Sequence, residues 1–160
     1  MSVTAEILAQ GKRAGVMIAC AESCTGGMLA AALTDLPGAS AVFERGFVSY
    51  TNTAKTEMLG VATATIATYG AVSEPVALEM AHGALTRSCA ALAVSITGIA
   101  GPGGSEHKPE GRVCFGLAQD TGTQTETVEF GALGRAAVRK AARDHALGLL
   151  QGALAKLPDK

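Results

Sequence analysis

Tryptophan is absent from this chain, and its only aromatic residues are two Tyr and four Phe. A core without large rings must be filled by Ala, Val, Leu, Ile and Met. Such side chains let a helix approach a sheet closely, and the 20 Gly point to tight backbone turns. No C-x-x-C pair occurs among Cys20, Cys24, Cys89 and Cys114, and His82, His107 and His145 are scattered. Zinc-ligand spacing is therefore missing, and no metal site is expected. No block of like charge exists and the formal net charge is −1, which excludes the basic footprint of a nucleic-acid binder. No apolar run approaches the ~20 residues that span a bilayer, so no membrane association is expected. The start, Met-Ser-Val-Thr-Ala-Glu, lacks the basic-then-apolar pattern of a secretory leader. A cytoplasmic protein with reduced thiols is the simplest reading of these absences.

What is present suits one domain over residues 1–160. A domain of this size buries roughly 68–70% of its unfolded surface, enough to stand without disulfide or metal. Ala5 to Arg13 reads as a helix ending at Gly15, and Val16 to Ala21 as a buried strand. Met28 to Leu36 reads as a helix stopped by Pro37-Gly38, and Phe43 to Tyr50 as a strand. Asn52 is placed as the cap of a helix to Gly60, followed by a short helix over Ala64 to Tyr69. Ser73 caps a longer one with Glu74 and Pro75 in its first turn. Ala90 to Thr97 is a second buried strand, Arg112 to Gln119 and Thr123 to Phe130 a hairpin, and Gly134 to Leu157 a long amphipathic helix. This α/β order predicts a mixed sheet with helices on its faces.

Three segments carry chemistry. Glu22-Ser23-Cys24-Thr25-Gly26-Gly27 lies where the first buried strand gives way to a helix. Carboxyl ends of strands in open α/β sheets bind ligands, and a helix start offers N–H groups to an anion. Ser23 would stand at the strand tip, Thr25 beside it, and Gly26 and Gly27 would admit a ligand to the backbone. An ordinary capped turn is the plain alternative. The segment is neither the G-x-S-x-G of the usual hydrolase elbow nor a phosphate-binding P-loop. Cys24 is the other available nucleophile, but no His stands near it in sequence to act as its base, and a buried structural thiol is as reasonable.

Lys55 breaks a local rule. With Asn52 as cap it falls at the third helical position, where the capping box asks for Glu or Gln. A cation there opposes the helix dipole, which favours the neutral amine and lowers its pKa. A neutral lysine can take the proton of a serine hydroxyl, and a Ser–Lys pair needs no histidine. A solvated surface lysine is the alternative. The third segment, Gly98 to Gly104, reads G-x-x-G-x-G-G and is not followed by a helix, which argues against a dinucleotide site. Its N–H groups can form an anion nest, with Thr97 beside it at the strand tip. Arg112, Arg135 and Arg139 are candidate phosphate forks that sequence does not separate.

The segments AESCTGG (21–27), FERGFVSYTNTAK (43–55), GAVSEP (70–75), SITGIAGPGG (95–104) and KPEGRV (108–113) together resemble the CinA C-terminal domain family, the stand-alone nicotinamide-nucleotide amidases. The resemblance covers nearly the whole chain in order. It implies a three-layer α/β/α sandwich and hydrolysis of the amide of nicotinamide mononucleotide to nicotinate mononucleotide and ammonia, in pyridine nucleotide recycling. It implies a serine and a lysine as the catalytic pair, which fall on Ser23 and Lys55, with no cofactor. A small nucleotide is the expected partner, and homo-oligomerisation is left open. Substrate contacts are expected from Thr25, Gly26, Gly27, Tyr50, Thr97, Gly98, Gly101 and Arg135. Tyr50, five residues before Lys55, would orient the dyad or the substrate ring. A non-catalytic nucleotide-binding module, linked to competence or DNA damage, is the competing reading. It has no need of a lysine in a helix's first turn.

Overall fold

A computed structural model describes residues 1–160. The chain runs through α1 (Val3–Ala14), β1 (Ile18–Glu22), α2 (Met28–Leu33), β2 (Phe43–Val48), α3 (Asn52–Leu59), α4 (Thr63–Tyr69) and α5 (Glu74–Thr86). It continues through β3 (Leu92–Gly98), β4 (Arg112–Gln119), β5 (Gly122–Glu129) and α6 (Arg135–Ala155). The strands form one sheet in the order β2-β1-β3-β4-β5. β1 pairs in parallel with both β2 and β3, while β3, β4 and β5 are antiparallel. The fold is thus an α/β/α sandwich around a mixed sheet.

Side-chain alternation along the strands builds two different cores. Ile18, Cys20, Val94, Ile96 and Phe115 point to one face, where they pack with Leu29, Leu33, Val138 and Leu150 from α2 and α6. Ala19, Ala21, Ala93 and Ala118 point to the other, against Leu59, Val61, Val76 and Met80. Truncating a large member of the first layer, such as Leu29 or Ile96, to Ala would cost roughly 2–5 kcal/mol. The second face is lined by small residues because α5 sits close. Ser95 Oγ donates to Ala77 O at 2.6 Å, and a Cβ on Gly116 would stand 2.5 Å from the same carbonyl. Only glycine fits there.

β1 leads through α2 on the first face to β2, and β2 leads through α3, α4 and α5 on the second face to β3. The chain therefore departs from β1 in opposite directions. The carboxyl ends of β1, β2 and β3 meet at that switch point, where α/β sheets bind ligands. Ser23, Tyr50 and Gly98 follow or close these three strands.

Two boundaries correct the sequence reading. α2 stops at Leu33 rather than Leu36, since the Thr34 hydroxyl donates to Ala30 O and Ala31 O and closes the turn. Thr51, not Asn52, caps α3: its backbone is extended and its Oγ1 accepts from Ala54 N at 3.1 Å. Two consecutive polar residues made either cap reasonable, and the structure places the start one residue earlier.

Candidate active site

The one-residue shift moves Lys55 to the fourth position of α3 and weakens the dipole account of its chemistry. Burial replaces it. Lys55 is only 2% exposed. Its ammonium donates to Ser23 Oγ at 3.1 Å and to the Tyr50 carbonyl at 3.1 Å. No ion pair with a carboxylate balances it at hydrogen-bond range. Desolvation holds its pKa below the ordinary lysine value, while the more distant Cys24 and Glu106 oppose that shift.

Ser23 is 7% exposed and sits directly beyond β1. Its N–H donates to Ile96 O at 3.0 Å, which ties the strand tip to β3. Its hydroxyl lies 3.3 Å from Tyr50 O, the oxygen that also receives Lys55. Tyr50 thus orients the pair through its backbone carbonyl, while its exposed ring turns to Arg135. The Arg135 guanidinium donates to Tyr50 Oη at 2.8 Å and to Gly101 O at 2.7 Å, bridging two walls of the cleft.

That cleft has a volume of about 280 Å³. Ser23, Cys24, Tyr50, Lys55, Thr97, Gly98, Gly101 and Arg135 line it together with the rest of the glycine loop. Thr97 is buried, and its hydroxyl donates to Ala71 O at 2.8 Å, fixing the opposite wall. Of the three arginines, only Arg135 reaches the cleft. Arg112 pairs with Glu129, and Arg139 donates to Cys24 O and Thr25 O, holding the turn that follows Ser23.

Thr25, Gly26 and Gly27 do not line the cleft, contrary to the expectation from sequence. The expected open helix start does not exist either. The buried Glu22 carboxylate accepts from Leu29 N at 2.9 Å and Ala30 N at 3.0 Å, and Met28 N donates to Thr25 O. An acidic side chain of the chain itself occupies the anion position at α2. Ser23 N is committed to β3 as well, so it offers no donor to the cleft. Glu110 fills a similar role at the glycine loop, accepting from Gly103 N at 2.7 Å and from Gly134 N, the cap of α6, at 2.9 Å. A Cβ on Gly101 (φ 90°) would stand 2.5 Å from this carboxylate.

Sequence reasoning missed both glutamates. Each acts seven residues or more from its partners across a turn, and no local spacing announces that. Cys24 is 5% exposed, and burial pushes its thiol up to about 11, so it is protonated at neutral pH. All four cysteines are free, no three His, Cys, Asp or Glu side chains cluster, and no helix is long and apolar enough to cross a membrane.

Comparison with known proteins identifies the family and the fold. The model of the CinA C-terminal domain matches residues 1–154. A protein named nicotinamide-nucleotide amidohydrolase PncC from Escherichia coli K12 is 52% identical over 140 residues, 87% of this chain and 85% of that one. A CinA-like protein of Chlorobium phaeobacteroides is 59% identical over 120 residues, and the match takes in 72% of this chain but only 29% of that longer protein. The crystal structure of the competence/damage inducible protein CihA from Agrobacterium tumefaciens superposes with a TM-score of 0.91 at 48% identity, covering 96% of this chain and 94% of that one. Sequence along nearly its whole length and fold alike thus make the chain a member of the CinA C-terminal domain family.

Proposed function

We propose that this chain hydrolyses the carboxamide of nicotinamide mononucleotide, releasing ammonia and nicotinate mononucleotide, with Ser23 as nucleophile and Lys55 as general base. The observation that carries the reading is a lysine buried without a carboxylate, 3.1 Å from a serine hydroxyl at a strand tip. The relative named nicotinamide-nucleotide amidohydrolase supports the choice of substrate.

Loss of one proton gives Lys55 Nζ a lone pair that the Ser23 O–H can donate to, while a remaining N–H still donates to Tyr50 O. Ser23 Oγ attacks the carboxamide carbon as its proton passes to Lys55. The carbonyl oxygen becomes an oxyanion, which backbone N–H groups of the turn after Ser23 would stabilise. Collapse breaks the C–N bond, with the proton on Lys55 passing to the departing nitrogen as ammonia forms. Water, deprotonated by the same lysine, then cleaves the Ser23 ester and releases the carboxylate product. Arg135 is the phosphate partner, offering a planar fork at the cleft wall. The four free thiols support a cytoplasmic setting.

A nucleotide-binding module without catalysis would gain nothing from an ammonium desolvated beside a hydroxyl, so no structural observation favours that reading. Ammonia release tests the proposal directly, with nicotinamide and glutamine as control substrates. Release from the mononucleotide alone supports it; no release from the mononucleotide overturns it.

A further inference from the structure

Three charged side chains line the cleft: Lys55, Arg135 and Glu106. The first two are held by oxygens of the chain itself. Glu106 differs, since its carboxylate accepts no hydrogen bond and joins no ion pair. It sits at the far end of the glycine loop in a left-handed backbone conformation, φ 53°, that a glutamate rarely adopts. Its Oε2 lies so close to Gly70 that a Cβ there would stand 2.6 Å away. Lys108 approaches the same glycine, but its ammonium donates to Tyr69 O and Val72 O at 2.7 and 2.6 Å. Arg135 stands on another wall, between Tyr50 and Gly101. The cleft therefore presents an engaged cation on one wall and an unengaged anion on another.

Resting on the function proposed above, we infer that Glu106 is a specificity-determining residue that selects a nucleotide whose ring carries a positive charge. A nicotinamide nucleotide is such a molecule, with an anionic phosphate at one end and a pyridinium cation at the other. Its ring nitrogen is one carbon removed from the carbon bearing the carboxamide. Placing the carboxamide at Ser23 thus brings the ring charge beside Lys55. Glu106 and Lys55 line the same cleft, and the carboxylate is one of the groups that favour the charged form of Lys55. An anion there offsets the repulsion between the ring and any cation at the dyad. Glu106 is exposed, so the effect is modest and falls as salt rises.

The test compares nicotinamide mononucleotide with its 1,4-dihydro form, which keeps carboxamide, ribose and phosphate but has a neutral ring. Binding of each is measured by calorimetry at low ionic strength in the Lys55→Ala background, with Glu106 intact, as Glu106→Gln and as Glu106→Lys. Glu106→Gln should weaken the charged-ring form by roughly two- to fivefold and leave the neutral-ring form unchanged. Glu106→Lys should weaken the charged-ring form further. Equal weakening of both forms, or of neither, would overturn the inference. Because the readout is binding, it is separate from ammonia release: an enzyme that fails to deamidate, yet discriminates the rings through Glu106, refutes the proposed reaction and not the charge selection.

Discussion

Ser23 Oγ and Lys55 Nζ stand 3.1 Å apart, and both groups also reach the Tyr50 carbonyl. One backbone oxygen thus holds the proposed nucleophile and base in register. Ser23→Ala removes the proposed nucleophile together with its two hydrogen bonds, one from Lys55 Nζ and one to Tyr50 O. Its specificity constant should fall by roughly 10³-fold or more, while stability falls by about 1–3 kcal/mol, since the buried ammonium loses one of its two acceptors. Steady-state kinetics and a thermal melt check the two halves. Near-normal turnover would rule out the serine as nucleophile.

Cys24 neighbours Ser23 and lines the same cleft, yet its thiol is pushed up to about 11 and its side chain belongs to the core. Cys24→Ser should keep the specificity constant within about tenfold, at some cost in stability from placing a hydroxyl among apolar neighbours. Thiol-directed reagents should react slowly with it, which mass spectrometry of the intact chain can follow.

The layered fold and the turns that border the cleft were legible in the sequence because apolar runs, caps and glycine clusters are local signals. Val16 to Ala21 announces a buried strand in its own composition, and Ser73 with Glu74 and Pro75 announces a helix start. Lys55 announced itself by standing in an unfavourable place, although the physical cause proved to be burial more than dipole. What could not be read was which charges neutralise which backbone groups across the fold. Glu22 closes the start of α2 and Glu110 grips the glycine loop, so two donor sets expected to face substrate face carboxylates of the chain. The choice of Arg135 over Arg112 and Arg139 rests likewise on pairings set by tertiary structure.

Glu22 is fully buried and uses both oxygens as acceptors for α2. Glu22→Gln turns one acceptor into a donor facing an N–H. A destabilisation of roughly 1–3 kcal/mol is expected, measured by chemical denaturation. Because the carboxylate anchors the turn that carries Ser23, the rate constant should fall more than the Michaelis constant rises. An unchanged denaturation midpoint would show that α2 does not depend on this cap.

Arg135 bridges Tyr50 Oη and Gly101 O at the cleft wall, where a phosphate would meet its fork. Nicotinamide riboside should be a poorer substrate than the mononucleotide by about ten- to several-hundred-fold, as one or two charge-assisted bonds are lost. Arg135→Ala should remove most of that difference by lowering only the mononucleotide's specificity constant. Equal constants for the two compounds in the parent enzyme would remove the phosphate contact.

Lys55 provides the sharpest test, because its burial predicts both a pH profile and a stability effect. Desolvation lowers its folded-state pKa below the unfolded value of about 10.4. The proposed mechanism needs the neutral amine, so the specificity constant should rise with pH along an acid limb lying below the ordinary lysine range. Lys55→Arg keeps the charge but cannot release a proton there, and should lose roughly 10²–10⁴-fold. Between the folded and unfolded pKa values the unfolded chain binds more protons, so raising pH through that window stabilises the fold. Below it both states are charged, and the full cost of burying the ammonium persists. Lys55→Met, apolar and of similar length, should therefore be inactive yet more stable near neutral pH by about 0.5–2 kcal/mol, a rise of about 1–8 °C in Tm. That advantage should shrink as pH approaches about 10. Thermal melts across the pH range read it directly. A lower Tm for Lys55→Met at neutral pH would mean that the ammonium is stabilised where it sits, and the lysine would then act as a fixed cation and not as the base.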